Sequence, residues 1–302
     1  MKAGFLKEEA VAEAGTATDL EGQYAETLLE SERLRAIADP ETEPFRSRYE
    51  ERVLLRKLAR QADANAAAAA EGSDERKRAG CVGAAATALL GANFMDTEEA
   101  GQARDLLEKA LAGMGESDEV DALTIETLNR LGVLAANREE HELSLDLLER
   151  ALRRYESAVR SVIARVEALT TATAAAEAGT LEASKAESAA SVKDAQTLED
   201  LHTLTGFYLA QAYGNCGQAT ESAKWCQRTM ERQLQLKGSG RKDEHAFKPH
   251  EWARNASNLS AYFCAENHFG AAESCLHAAD AVLRAHRKAE KVCYTYISIY
   301  NI

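Results

Sequence analysis

Four segments of this chain repeat one pattern of large and small residues in a single register, and this recurrence constrains the fold more than any other feature. The first reads Thr87, Leu90, Gly91, Phe94, then Ala103, Leu107, Ala110. The second reads Leu128, Leu131, Gly132, Ala135, then Ser144, Leu148, Ala151. The third reads Gly206, Leu209, Ala210, Tyr213, then Ser222, Cys226, Thr229, and the fourth Ala256, Leu259, Ser260, Phe263, then Ala272, Leu276, Ala279. Steps of three and four place each group on one face of a helix. The small residue of the second helix always lies twelve positions after that of the first: Gly91 to Ala103, Gly132 to Ser144, Ala210 to Ser222, Ser260 to Ala272. Small residues suit the places where two helix backbones approach closely, and large ones fill the gaps between neighbouring pairs. A single match means little, because apolar residues at helical spacing are common; four in one register are far more specific.

This is the pattern of tetratricopeptide (TPR) repeats. The expected fold is all-α, a TPR-like α-solenoid of antiparallel helix pairs, with an ordinary helical bundle as the alternative. The repeats start 41, 78 and 50 residues apart (Thr87, Leu128, Gly206, Ala256), against about 34 in a regular array, so helices are longer or loops extended. The organisation we expect is N-terminal helices in 1–62, a linker in 63–79, repeats one and two in 80–158, an Ala/Glu/Ser-rich long helix or disordered insertion in 159–196, and repeats three and four in 197–290. The early helices fall at about 20–37 and 47–60, separated by Asp39-Pro40-Glu41-Thr42-Glu43-Pro44, where proline disfavours helix at the residue before it. Residues 235–248 contain Lys-Gly-Ser-Gly-Arg-Lys and read as a flexible loop. Asp96-Thr97-Glu98-Glu99 and Asn137-Arg138-Glu139-Glu140 read as caps and early acids of the second helices, and Pro249 suits a first turn. Residues 291–302 form an atypical, β-prone tail without a helix cap, which reads as a truncated end.

The net charge is -13. Nucleic acid and anionic membranes are therefore poor partners for the whole chain, and a basic protein surface suits it better. No stretch approaches the roughly 20 apolar residues that span a bilayer. The N-terminus shows no apolar core of a signal peptide. The six cysteines show no CxxC spacing, and reduced thiols are the default reading.

No catalytic constellation stands out. GxxxxGK[ST], HExxH, GxSxG and paired CxxC are all absent from the sequence, and no cofactor and no metal site is expected. His245 and His250, and Cys275 and His277, are close in sequence, but a surface histidine or a small core thiol explains them better. Trp225 and Trp252 suit packing between repeats, with partner anchoring as the alternative reading. The repeat register assigns Glu126, Asn129, Asn137, Gln211, Asn215, Arg254 and Ser257 to the groove side of the first helices, as candidate partner contacts.

Less generic segments carry a resemblance. Pro40-Glu41-Thr42-Glu43-Pro44-Phe45-Arg46-Ser47-Arg48-Tyr49, Asn93-Phe94-Met95-Asp96-Thr97-Glu98-Glu99 and Tyr208-Leu209-Ala210-Gln211-Ala212-Tyr213 are three of them. The most particular is Pro249 followed by His250-Glu251-Trp252-Ala253-Arg254-Asn255-Ala256-Ser257-Asn258-Leu259-Ser260. These resemble the N-terminal TPR half of the KIF-binding protein family, with Pro40, Pro44, Tyr49, Pro249, Glu251, Trp252 and Asn255 as signature positions. The resemblance implies a non-enzymatic, cytoplasmic and cytoskeleton-associated adaptor. Such a protein binds the kinesin motor domain and modulates transport along microtubules, mitochondria included. The family's chains are longer, and their second lobe has no counterpart here. A generic TPR scaffold or co-chaperone is the alternative; its carboxylate clamp needs several groove cations, and the register supplies only Arg254.

Overall fold

The computed structural model describes residues 17–115, 121–175, 181–237 and 247–300, the side chains of 17–19, 169–175, 181–194 and 288–300 excepted. Among the described residues there are ten helices and no strand: α1 (Ala17–Arg35), α2 (Arg46–Ala68), α3 (Asp74–Asp96), α4 (Ala100–Met114), α5 (Asp121–Asn137), α6 (His141–Ala175), α7 (Leu181–Asn215), α8 (Ala219–Lys237), α9 (Pro249–Ala265) and α10 (Phe269–Tyr300). The fold class is all-α, built of TPR-like helix pairs. The chain divides into two compact units, 1–138 with 153–163 and 139–152 with 164–302.

The first unit centres on α3, which packs against α1, α2, α4 and α5. Its sequence explains why: residues 82–94 are buried on every face of the helix, and most are Ala or Gly, so neighbouring backbones come close without large side chains intervening. A methyl group on Gly91 would lie 2.7 Å from Cγ of Leu107. All seven pattern residues of the first repeat are buried, Leu107 and Ala103 completely. A buried leucine of this kind stabilises by about 2–3 kcal/mol through removal of apolar surface from water. The pair α1 and α2 packs on this repeat as a further helix pair that carries no pattern residues.

In the second unit, α7 packs on α8, α8 on α9 and α9 on α10. Leu148, Leu209, Ala212 and Trp225 form one core cluster; Trp252, Ala253, Ala256, Leu259, Met230 and Ala279 belong to another. Both tryptophans are buried, Trp225 at 8% exposure and Trp252 at 4%. The Trp252 indole Nε1 donates to the Met230 carbonyl at 3.1 Å. They fill the interior between helices.

The turn inside each repeat is itself repeated. Glu98, Glu139, Gly217 and Asn267 all have left-handed backbone, with φ of 62°, 62°, 74° and 60°. Each stands seven positions after Gly91, Gly132, Ala210 and Ser260 respectively. Around three of them the same bonds close: Glu99 N–H to Phe94 O, Gln218 to Tyr213 and His268 to Phe263, at 2.8–2.9 Å. This is a Schellman cap on the first helix. The capping expectation is corrected accordingly: these residues terminate the first helix of each pair, and Glu99 makes no side-chain cap on α4.

Other expectations shift. Helix α2 runs on through the alanines to Ala68, since alanine is the strongest helix former, and α3 starts at Asp74. The linker expected over 63–79 is thus confined to 69–73. The extra length of 159–196 goes into α6 and α7, 35 residues each; 176–180 lie outside the described residues. The backbone of the tail continues α10 as helix to Tyr300, because β-propensity is weak where no partner strand exists. Pro249 is at the start of α9, as a first-turn proline. Of the expected loop 235–248, residues 238–246 lie outside the described residues. Leu276 is 51% exposed, unlike its register equivalents Leu107 and Leu148, because no described helix follows α10 to cover it.

Candidate functional site

In the first unit the leading helices of successive pairs, α1, α3 and α5, enclose a cleft of about 220 Å³ lined by Glu21, Tyr24, Arg78, Cys81, Val82, Ala85 and Leu123. Burial raises the Tyr24 hydroxyl above its ordinary pKa, and the carboxylate of Glu126 raises it further. Glu126 is half-buried and ion-paired with Arg130 at 2.6 Å, one turn along α5. Its charge is therefore shared before any partner arrives. Asn129 is 1% exposed and is withdrawn as a contact residue: its side chain points into the core, where no partner reaches it. Asn137 is exposed at the end of α5.

The second unit holds a larger cleft, about 330 Å³, between α7, α8 and α9. Its apolar lining is Leu204, Phe207, Leu236 and Phe247; Asp200, Gln233, Lys248, Glu251 and Arg254 supply the polar groups. Lys248 pairs with Glu251 at 3.8 Å, while Arg254 is exposed and makes no ion pair among the described residues. Gln233 Oε1 is buried without a hydrogen-bond partner. Gln211 is exposed on α7, one turn beyond Phe207. Asn215 ends that helix in a shallow hollow with Glu139, Glu140 and His141. Ser257 is exposed, but its hydroxyl donates back to Ala253 O at 3.0 Å, which leaves it little to offer.

The sequence candidates thus divide between units: Glu126, Asn129 and Asn137 in the first, Gln211, Asn215, Arg254 and Ser257 in the second. Tyr24, Phe207, Gln233 and Phe247 were not anticipated. Phe207 stood beside the pattern residue Gly206 on a leading helix, and that adjacency was the available signal. Among the described residues no group of three or more His, Cys, Asp and Glu is placed to hold a metal ion, and no helix is long and apolar enough to cross a membrane. His245 lies outside the described residues.

The non-periodic segments 40–49 and 93–99 meet in one buried polar network. Glu51, fully buried, accepts from Ser31, from Arg35 at 2.7 Å and from Asn93 at 2.8 Å. Asn93 also donates to Arg48 O at 2.8 Å. Arg52 donates to Asn93 at 2.9 Å, Thr97 at 2.6 Å and Glu99 at 2.8 Å. Its guanidinium lies 3.7 Å from the centre of the Phe94 ring and 5.0 Å from that of Tyr49, and Arg48 pairs with Asp96 at 3.4 Å. Asp39 accepts from Ser47 and fixes the turn after Pro40. These residues lock α1, α2 and the first repeat's turn together.

Comparison with known proteins places these features. A family model described as "KIF-1 binding protein C terminal" matches residues 250–293, which are α9 and most of α10. The KIF-binding protein of Drosophila melanogaster is 30% identical over 253 residues, 81% of this chain and 39% of the relative. That of Gallus gallus is 28% identical over 258 residues, covering 81% and 38%. By these comparisons the chain is similar to KIF-binding proteins over four fifths of its own length. A solved structure titled "Kinesin binding protein (KBP)" aligns with a TM-score of 0.55 at 25% identity, over 91% of this chain and 48% of that one. The chain spans about two fifths of the length of the curated KIF-binding proteins it matches. Of the signature positions, Pro249 starts α9, Trp252 is buried in the core around that helix, and the Tyr49 ring lies 5.0 Å from the Arg52 guanidinium.

Proposed function

We propose that this chain is a non-enzymatic adaptor that binds kinesin motor domains and modulates their microtubule-based transport, organelles such as mitochondria included, in the cytoplasm and at the cytoskeleton. The observation that carries the reading is the family: relatives named for KIF binding align over four fifths of the chain. The geometry is compatible. Each unit opens a polar-rimmed cleft onto its leading helices, a surface suited to a polypeptide segment. The net charge of -13 complements a basic motor surface and raises the rate of encounter. A carboxylate-clamp co-chaperone is less well supported, since Lys248 is engaged by Glu251 and Arg254 is the sole unpaired cation of its cleft.

The test is capture of purified kinesin motor domains by the immobilised chain, with microtubule-stimulated ATPase as second readout. Binding is expected at low salt, and Glu126→Lys with Gln211→Lys weakens it by roughly tenfold, about 1.4 kcal/mol. Absence of any bound motor at low salt overturns the reading for this chain and leaves the fold untouched.

A further inference from the structure

Helix α2 is unlike the rest of the chain. Between residues 46 and 60 it carries six cations (Arg46, Arg48, Arg52, Arg56, Lys57, Arg60) against two carboxylates (Glu50, Glu51), within a protein of net charge -13. Half of those cations are satisfied: Arg46 by Glu43 and Glu50, Arg48 by Glu51 and Asp96, Arg52 by Glu99. Arg56, Lys57 and Arg60 are exposed and have no ion pair among the described residues. Of the neighbouring carboxylates, Glu43, Asp96 and Glu99 are already engaged with the first three. Arg56 is held below its ordinary pKa by partial burial and then by Arg52 and Arg60, so positive charge is in local excess.

The same helix carries exposed apolar residues one turn apart. Phe45 is 36% exposed, Tyr49 49% and Val53 66%. Spacing of four keeps them in one stripe, and Lys57 continues it. None of these residues lines the cleft between α1, α3 and α5.

We infer that the α2 face formed by Phe45, Tyr49, Val53, Arg56, Lys57 and Arg60 is a docking surface for an acidic, amphipathic peptide segment of a partner protein. Apolar side chains of the segment cover the stripe, and its carboxylates meet the three unpaired cations, which fixes orientation along the helix. An anionic membrane is the less favoured occupant. A lipid surface is an extended plane that meets the field of the whole acidic chain, whereas a peptide samples charge only within a Debye length of about 8 Å. The surface is separate from the clefts proposed for kinesin, so the two readings stand or fall independently.

The experiment uses the full chain and a fluorescein-labelled helical peptide of about 18 residues, five turns, with leucine at every fourth position and glutamate on the flanks. Fluorescence anisotropy is expected to show saturable binding that weakens about tenfold between roughly 50 and 300 mM salt. Arg56→Glu with Lys57→Glu and Arg60→Glu, and separately Tyr49→Ser with Val53→Ser, each lower affinity at least about tenfold, while circular dichroism and kinesin capture stay unchanged. A peptide of equal charge with its leucines scrambled binds about tenfold more weakly. Equal binding of the scrambled peptide, or unchanged affinity of either variant, overturns the proposal. So does co-sedimentation with phosphatidylserine vesicles in place of peptide binding.

Discussion

Replacing Gly91 by alanine tests whether the repeat pattern is set by close approach of helices rather than by helix propensity. Propensity alone favours the change by about 1 kcal/mol in a helix interior. The structure opposes it. The new methyl group would sit 2.7 Å from Cγ and 2.9 Å from Cδ2 of Leu107, and 3.3 Å from the Ala103 carbonyl oxygen. Leu107 is fully buried and has no room to withdraw, so overpacking costs about 1–3 kcal/mol. The net expectation is destabilisation by up to about 2 kcal/mol. Gly80→Ala is the control, because Gly80 lies in the same helix with nothing within 4 Å of the added carbon; it should stabilise by about 0.5–1 kcal/mol. The double variant isolates the contact. Leu107→Ala alone costs about 2–5 kcal/mol through the cavity it leaves. With those atoms gone, the Gly91 methyl no longer clashes, and the pair should be less destabilised than the sum by about 1–3 kcal/mol. Urea unfolding followed by circular dichroism at the helical band measures all four proteins. If Gly91→Ala stabilises as Gly80→Ala does, or if the double variant is additive, the close-approach argument is wrong.

Leu276→Ala should cost under about 1 kcal/mol, since half its surface is already in water, whereas the register-equivalent Leu148→Ala should cost about 2–5; similar losses in thermal unfolding would contradict the exposure of α10. Arg52→Met leaves Asn93, Thr97 and Glu99 without their common donor and is expected to cost about 3–5 kcal/mol, read as a lower urea midpoint; a neutral result would mean the network contributes nothing net. The Tyr213 phenol is pushed up to about 12 by burial, then by its hydrogen bond to Glu149 and that group's charge. A raised phenol favours the protonated fold, so its contribution is full below the unfolded value near 10 and is lost as pH rises through about 12. Ultraviolet titration of Tyr213→Phe should therefore lose one late-ionising phenol, and an ordinary titration of Tyr213 would refute the assignment. Burial also raises the thiols of Cys226 and Cys275, with Cys275 adding to the shift at Cys226. At mildly alkaline pH, iodoacetamide followed by peptide mapping should modify exposed Cys264 well before Cys226; equal rates in the folded protein would refute this.

What could be read in advance followed from how local each determinant is. The burial of Leu107, Leu148 and Ala256 depends on offsets within a helix pair, and those offsets are written in the sequence. The exposure of Leu276 depends on whether another helix follows, which no local pattern encodes. Asn129 failed as a groove residue for a related reason: the repeat register placed it on the groove side, and register alone does not separate groove from core when α3 and α4 both pack nearby. The signature segments 40–49 and 93–99 are the opposite case. Apart from Phe94, their residues follow no helical period, so periodicity could not explain them. The structure does: Arg52 and Glu51, two adjacent residues of α2, take their partners from α1, from Asn93 and from the turn at Thr97 and Glu99. A buried charge tolerates few substitutes because each partner removed leaves another unpaired. Such positions serve the architecture, and a test of the proposed kinesin partner has to address the exposed residues of the two clefts.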